Sequence, residues 1–242
     1  MNRVIEVLAA REKLIERSLD LVCSQVRAAI AERGICTLVL SGGSTPKPLY
    51  EAISEQSLPW EKIHVFWGDE RYVPADHPDS NQKMAREAWL DRVNIPHSNI
   101  HPIPTDSDNP ALDAKKYEQQ LLRFFAVTAG EFPTFDIVLL GIGDDGHTAS
   151  LFPHTAALKV SDRLVTMGNK DNQPRITLTA PLINQARCVI FLVTGANKRP
   201  ALAQIFAPTT DTMTYPASLI QPFNGQLFWL LDSSAGAEIN PQ

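Results

Sequence analysis

The chain has 242 residues, with 22 Lys and Arg against 27 Asp and Glu and a formal net charge of −5. That balance gives no global positive field, which argues against nucleic acid or an anionic membrane as partner and leaves any anionic ligand to a local cluster of cations. At 44% hydrophobic and 20% charged, the composition is that of an ordinary globular chain, and one domain over residues 1–242 is the expectation.

The first twenty residues carry charges throughout, and no apolar run approaches the ~18 residues needed to cross a bilayer. A cytoplasmic protein is expected, with a monomer as the default. Apolar residues Ile15, Leu19, Val22, Val26 and Ile30 step by three or four, which predicts a helix over 11–33. Short runs of branched and aromatic residues predict buried strands at 37–40, 63–67, 135–140, 188–194 and 227–231. A second helix follows Asn109-Pro110 through Tyr117, Leu121 and Phe124. Residues 74–80 and 94–110 read as ordered loops, and the tail 233–242 is expected to fray.

Strands alternating with helices predict an α/β fold with a parallel sheet covered on both faces. Several strands run directly into glycine, at Gly42-Gly43, Gly68, Gly141 and Gly195. Ligands of open α/β sheets bind beyond the carboxyl ends of the strands, so polar residues after these glycines should converge on one crevice. Cys23, Cys36 and Cys188 sit in hydrophobic segments without ligand spacing and are expected to be buried thiols. The histidines, residues 64, 77, 97, 101, 147 and 154, form no zinc pattern, so no metal is expected.

Four segments carry candidate chemistry. In Ser41-Gly42-Gly43-Ser44-Thr45-Pro46, glycines allow close backbone approach to an oxyanion. The start of the following helix suits a phosphate, with Ser44 or Thr45 placed to cap it. A plain strand-to-helix turn would look similar, and neither the Walker A nor the dinucleotide spacing is present. In Gly68-Asp69-Glu70-Arg71-Tyr72-Val73, Arg71 offers a guanidinium fork for phosphate or carboxylate. Asp69 and Glu70 could orient it or bind sugar hydroxyls, and a solvated loop is the alternative.

In Gly141-Ile142-Gly143-Asp144-Asp145-Gly146-His147, the histidine is a candidate general base and Asp144 or Asp145 could fix its tautomer. Finally, Lys198 stands near a helix start, where ammonium and helix N-terminus could share a phosphate, and Arg175 is either a ligand or a surface residue. No Gly-x-Ser-x-Gly elbow accompanies Ser150, which argues against a serine hydrolase.

These segments, together with Asp79-Ser80-Asn81 and Tyr215-Pro216-Ala217-Ser218, resemble the glucosamine-6-phosphate isomerase/6-phosphogluconolactonase family over about residues 11–232, and within it the 6-phosphogluconolactonases. The resemblance implies a three-layer α/β/α sandwich with a mainly parallel, Rossmann-like sheet, and cofactor-free hydrolysis of a phosphosugar lactone. It implies His147 as the base, with Asp145 orienting it. Phosphate would lie on the loop from Ser41 to Thr45 and on Lys198, with Arg71 and Arg175 facing the substrate's anionic and hydroxyl groups.

Two rivals are weighed. Glucosamine-6-phosphate deaminases share the Asp-Gly-His segment but carry a glutamate seven residues after the aspartate, where this chain has Phe152; Asp162 is the one carboxylate between Gly146 and Arg163. A non-catalytic sugar-phosphate sensor would need a partner-binding module, and the chain shows no helix-turn-helix and no basic arm.

Overall fold

The periodic segment from Arg11 forms one long helix, α1 (Arg11–Arg33). It stops at Gly34, whose left-handed φ of 83° lets its N–H reach the carbonyl of Ile30. Residues 2–239 are described by a computed structural model. The strands are β1 (Asn2–Leu8), β2 (Cys36–Leu40), β3 (Ile63–Trp67), β4 (Asp69–Arg71), β5 (Ile100–His101), β6 (Ile137–Leu140), β7 (Val165–Lys170), β8 (Gln173–Leu178), β9 (Cys188–Val193) and β10 (Gln226–Asp232). The further helices are α2 (Lys47–Ser54), α3 (Asn81–Ala88), α4 (Pro110–Phe125), α5 (Ala180–Ile183) and α6 (Arg199–Ile205).

Among the described residues, seven strands form a sheet in the order β1-β10-β9-β6-β2-β3-β5, every neighbouring pair parallel. Helices cover both faces, giving the three-layer α/β/α sandwich. The central strands β2, β6 and β9 are buried along their whole length, which is why they read as continuous apolar runs rather than alternating ones. The chain leaves β2 toward β3 and β5, then returns to place β6 on the other side of β2. The crevice between the β2 and β6 ends is therefore a topological switch point, where open α/β sheets leave room for a ligand.

Three departures from the sequence expectations matter. β1 pairs in parallel with β10 at the sheet edge. A second sheet, β4-β8-β7, is antiparallel; its β7–β8 hairpin turns at Asp171 and Asn172, both at positive φ (52° and 61°) as a two-residue hairpin loop requires. The tail does not fray over its described part. Asp232 accepts from the N–H of Ala235, Ala235 is buried, and Ser233 donates to the carbonyl of Ala9. The end of the predicted tail, 240–242, lies outside the described residues. Cys23, Cys36 and Cys188 are buried free thiols, and burial pushes the Cys188 thiol up to about 12.

Candidate active site

Four strand ends deliver side chains to one cleft of about 230 Å³. Two buried tyrosines fix the exit geometry of the strands that form it. The Tyr50 hydroxyl accepts from the N–H of Ser41 (3.0 Å) and donates to its carbonyl (2.7 Å), and Tyr117 does the same for Trp67 (3.2 and 3.0 Å). Each hydroxyl satisfies backbone groups where the ladder ends. Burial raises both phenols above their ordinary pKa, so they stay protonated.

The loop after β6 presents His147. Its Nδ1 lies 2.5 Å from Oδ1 of Asp145, which also accepts the His147 N–H at 3.1 Å. Burial pushes the Asp145 carboxyl up, but the two hydrogen bonds and the charge of His147 outweigh it and hold the carboxyl at about 2. A carboxylate acceptor on Nδ1 makes that nitrogen the donor and leaves the Nε2 lone pair free. The ring has two close neighbours: Phe152, 4.5 Å away between centroids, and Gly143, where an added Cβ would fall 2.1 Å from Nδ1. The other aspartate is engaged elsewhere. Asp144 accepts from Lys198 Nζ (2.5 Å) and Asn197 (2.8 Å), and the Lys198 bond is the main reason its pKa is lowered.

The same cleft is lined by three cations, Arg71, Arg175 and Lys198. Arg71 on β4 and Arg175 on β8 are register partners in the antiparallel sheet, and neither forms a salt bridge among the described residues. Burial, and then the neighbouring Arg71, lower the pKa of the Arg175 guanidinium, which still remains charged at neutral pH. Five buried side-chain polar atoms lack a partner among the described residues, and three of them, Ser41 Oγ, Asn81 Oδ1 and Arg175 Nε, belong to residues lining this cleft. A larger cavity of about 570 Å³ between Arg3, Phe206 and Trp229 is lined by none of them. Buried polar groups in proteins are normally paired, so this concentration marks a surface shaped for a polar ligand.

The family model described as "Glucosamine-6-phosphate isomerases/6-phosphogluconolactonase" matches residues 9–229. The chain belongs to this family. Within it, the chain is 63% identical to the 6-phosphogluconolactonase of Nostoc sp. over 240 residues, covering 99% of this chain and 100% of that protein. It is also 63% identical to the Synechocystis sp. 6-phosphogluconolactonase over 237 residues, covering 98% of each. The 6-phosphogluconolactonase structure from Trypanosoma brucei superposes with a TM-score of 0.86 at 32% identity, covering 99% of both chains.

For this family member the cleft gathers nearly the whole set of expected residues. Ser41, Gly42, Gly43, Ser44, Thr45, Arg71, His147, Arg175 and Lys198 line it, while Asp145 stands behind His147. Several expected details are corrected. Neither Ser44 nor Thr45 caps α2, whose N-cap position is Pro46 without a side-chain bond; Thr45 Oγ1 instead meets Thr194 Oγ1 at 3.0 Å, tying two loops together. Glu70 makes no bond to the guanidinium of Arg71 and does not line the cleft: it is buried and accepts from backbone N–H groups. Asp69 is buried at the cleft floor and accepts from Ser150 Oγ at 2.6 Å. With its hydroxyl so engaged, Ser150 has no hydrogen bond to His147 among the described residues, and a serine nucleophile has no support.

Asn81 and Thr194 also line the cleft and were given no role from sequence. The signal for Asn81 was its place in Asp79-Ser80-Asn81; Thr194, last residue of an apolar run, had none. The position of the deaminase glutamate is filled by the Phe152 ring beneath His147, and Asp162 is exposed and paired with Arg163. No ring-opening carboxylate therefore stands at that position beside His147.

Proposed function

We propose that this protein hydrolyses 6-phospho-D-glucono-1,5-lactone to 6-phosphogluconate, with His147 activating water. The observation that carries the mechanism is the His147–Asp145 pair, 2.5 Å apart, in the same cleft as two arginines without a carboxylate partner among the described residues. In this reading water loses its proton to Nε2 of His147 as its oxygen attacks the lactone carbonyl. Asp145 holds the ring and stabilises the imidazolium. Collapse of the tetrahedral adduct breaks the ring C–O bond, and the imidazolium returns the proton to the departing hydroxyl.

The substrate's phosphate anchors the far end against the 41–45 loop, Lys198, Arg71 and Arg175. Remote binding of this kind converts affinity into positioning at the carbonyl. The ester is activated, so general-base help of ~10²–10⁴-fold and firm placement suffice without a covalent intermediate or a cofactor. The protein would act in the cytoplasm as a one-domain monomer on a small metabolite, without nucleic acid or membrane. No described helix is long and apolar enough to cross a membrane.

The test is hydrolysis of freshly generated lactone near neutral pH, corrected for the spontaneous rate. The parent should run well above background, and His147→Ala should fall by ~10²-fold or more. A parent at the background rate would reject the substrate. An unimpaired variant would reject the base.

A further inference from the structure

Glu70 is 3% exposed and takes no part in the chemistry above. Its Oε1 accepts from the N–H groups of Arg71 and Asn81, both at 2.8 Å. Its Oε2 accepts from the N–H of Gln82 at 2.8 Å and from Ser80 Oγ at 3.2 Å. One carboxylate thus joins β4 to the first turn of α3. The linkage continues in both directions. Arg71 Nη1 donates to the carbonyl of Asp79 at 2.6 Å, next in sequence to Ser80. Asn81 Nδ2 donates to the carbonyl of Asp69 at 2.9 Å, and its amide lies so close to Gly42 that an added Cβ there would fall 1.8 Å from Oδ1.

We propose that Glu70 is a positioning residue: through Asn81 it fixes the glycine loop at 41–44 relative to Arg71, and so sets affinity for the phosphate end of the substrate. The proposal rests on the reading above that this cleft takes a phosphorylated lactone. Two observations separate it from a purely structural role. The start of α3 already has its own cap, since Ser80 Oγ accepts from the N–H of Lys83 at 3.1 Å, so the helix does not need Glu70 to begin. An ionised carboxylate is also an expensive group to bury, and an apolar residue is often at least as stable where only packing is wanted. Burial pushes the Glu70 carboxyl up to about 7 against the opposing N–H bonds from Asn81, Gln82 and Arg71. None of its four partners lies in the 141–147 loop that carries His147.

That separation makes the proposal testable by what changes and what does not. Glu70→Gln keeps the shape but replaces one acceptor oxygen with an NH₂ facing backbone N–H groups. The variant and parent are compared at pH 8 for lactone hydrolysis and, independently of turnover, for binding of inorganic phosphate by calorimetry. KM and the phosphate Kd should rise together by ~10-fold or more, the scale of one lost charge-assisted hydrogen bond, while kcat stays within about 3-fold. A fall in kcat with KM and phosphate Kd unchanged would overturn it, because a partly unfolded enzyme gives that pattern. So would no change in any of the three.

Should Glu70→Gln fail to fold, Asn81→Ala removes the link to Gly42 while leaving Glu70 and its N–H donors in place. The same rise in KM and phosphate Kd is expected, and unchanged values overturn the proposal. A parent that binds phosphate without hydrolysing the lactone would sink the functional reading and leave the phosphate comparison as the test of Glu70.

Discussion

Gly143→Ala places one methyl group against the His147 ring. Its Cβ would stand 2.1 Å from His147 Nδ1, 2.2 Å from Cε1 and 2.6 Å from Asp145 Oδ1. Ordinary contact needs about 3.4 Å, so the imidazole must recede by more than about 1 Å, and the Phe152 ring, 4.5 Å away between centroids, limits the room for it. The backbone itself tolerates the change, because Gly143 is not among the residues at positive φ. A displacement of about 1 Å in a reacting group lowers rate by ~10²-fold. The expected result is therefore a kcat reduced by about that factor, with KM within about 3-fold because the residues proposed to hold the phosphate are untouched. Steady-state hydrolysis of fresh lactone, with the spontaneous rate subtracted, reads both constants, and thermal melting confirms that the fold survives. A variant with parental kcat and an unshifted Tm would refute the claim that the ring's position controls the reaction.

Two further outcomes follow from groups outside the reacting centre. Tyr50→Phe removes the hydroxyl that satisfies both backbone groups of Ser41; it should destabilise the fold by ~1–3 kcal/mol, a fall of several degrees in Tm, and raise KM by loosening the glycine loop. The His64–His101 pair, 3.1 Å apart, makes stability acid-sensitive. Burial, and then His64, hold His101 at about 4, below the ordinary 6.5, so its contribution is complete above about 6.5 and lost as pH falls toward 4. At ~1.4 kcal/mol per unit the full shift gives an upper bound near ~3 kcal/mol, reduced to ~1–2 by the solvent access of a half-buried ring. Melting curves between pH 7 and 4 should show this loss in the parent but not in His101→Phe, which keeps the stacking on Phe66; parallel curves would refute it.

The strands of the main sheet were legible because burial on both faces writes them as unbroken apolar runs; 63–67 was read to the residue as β3. β1 escaped because an edge strand interleaves charge, and its Glu6 pairs with Arg17 on α1 rather than facing a second strand. The β7–β8 hairpin escaped because its turn is Asp171-Asn172 and its strands are partly exposed, so neither a glycine turn nor a buried run announced it. At the site, the meeting of His147, Arg71, Arg175 and Lys198 in one cleft was legible because residues that follow strand ends converge beyond the edge of an open sheet. The errors at Glu70 and at Ser44 and Thr45 share a cause: sequence shows that a carboxylate or hydroxyl is near the cleft, whereas its direction depends on which backbone N–H groups the tertiary fold leaves unpaired. Glu70 meets three such groups.

The pairing of Arg71 and Arg175 on adjacent strands also has a consequence for stability. Two like charges on adjacent strands repel, and a dianion bound beside both would relieve that repulsion. Occupancy then reinforces the whole chain by mass action: at 100 times Kd a bound anion adds ~2.7 kcal/mol to global stability. The reaction product, which keeps the phosphate and gains a carboxylate, would guard the enzyme that made it against heat and proteolysis for as long as it accumulates.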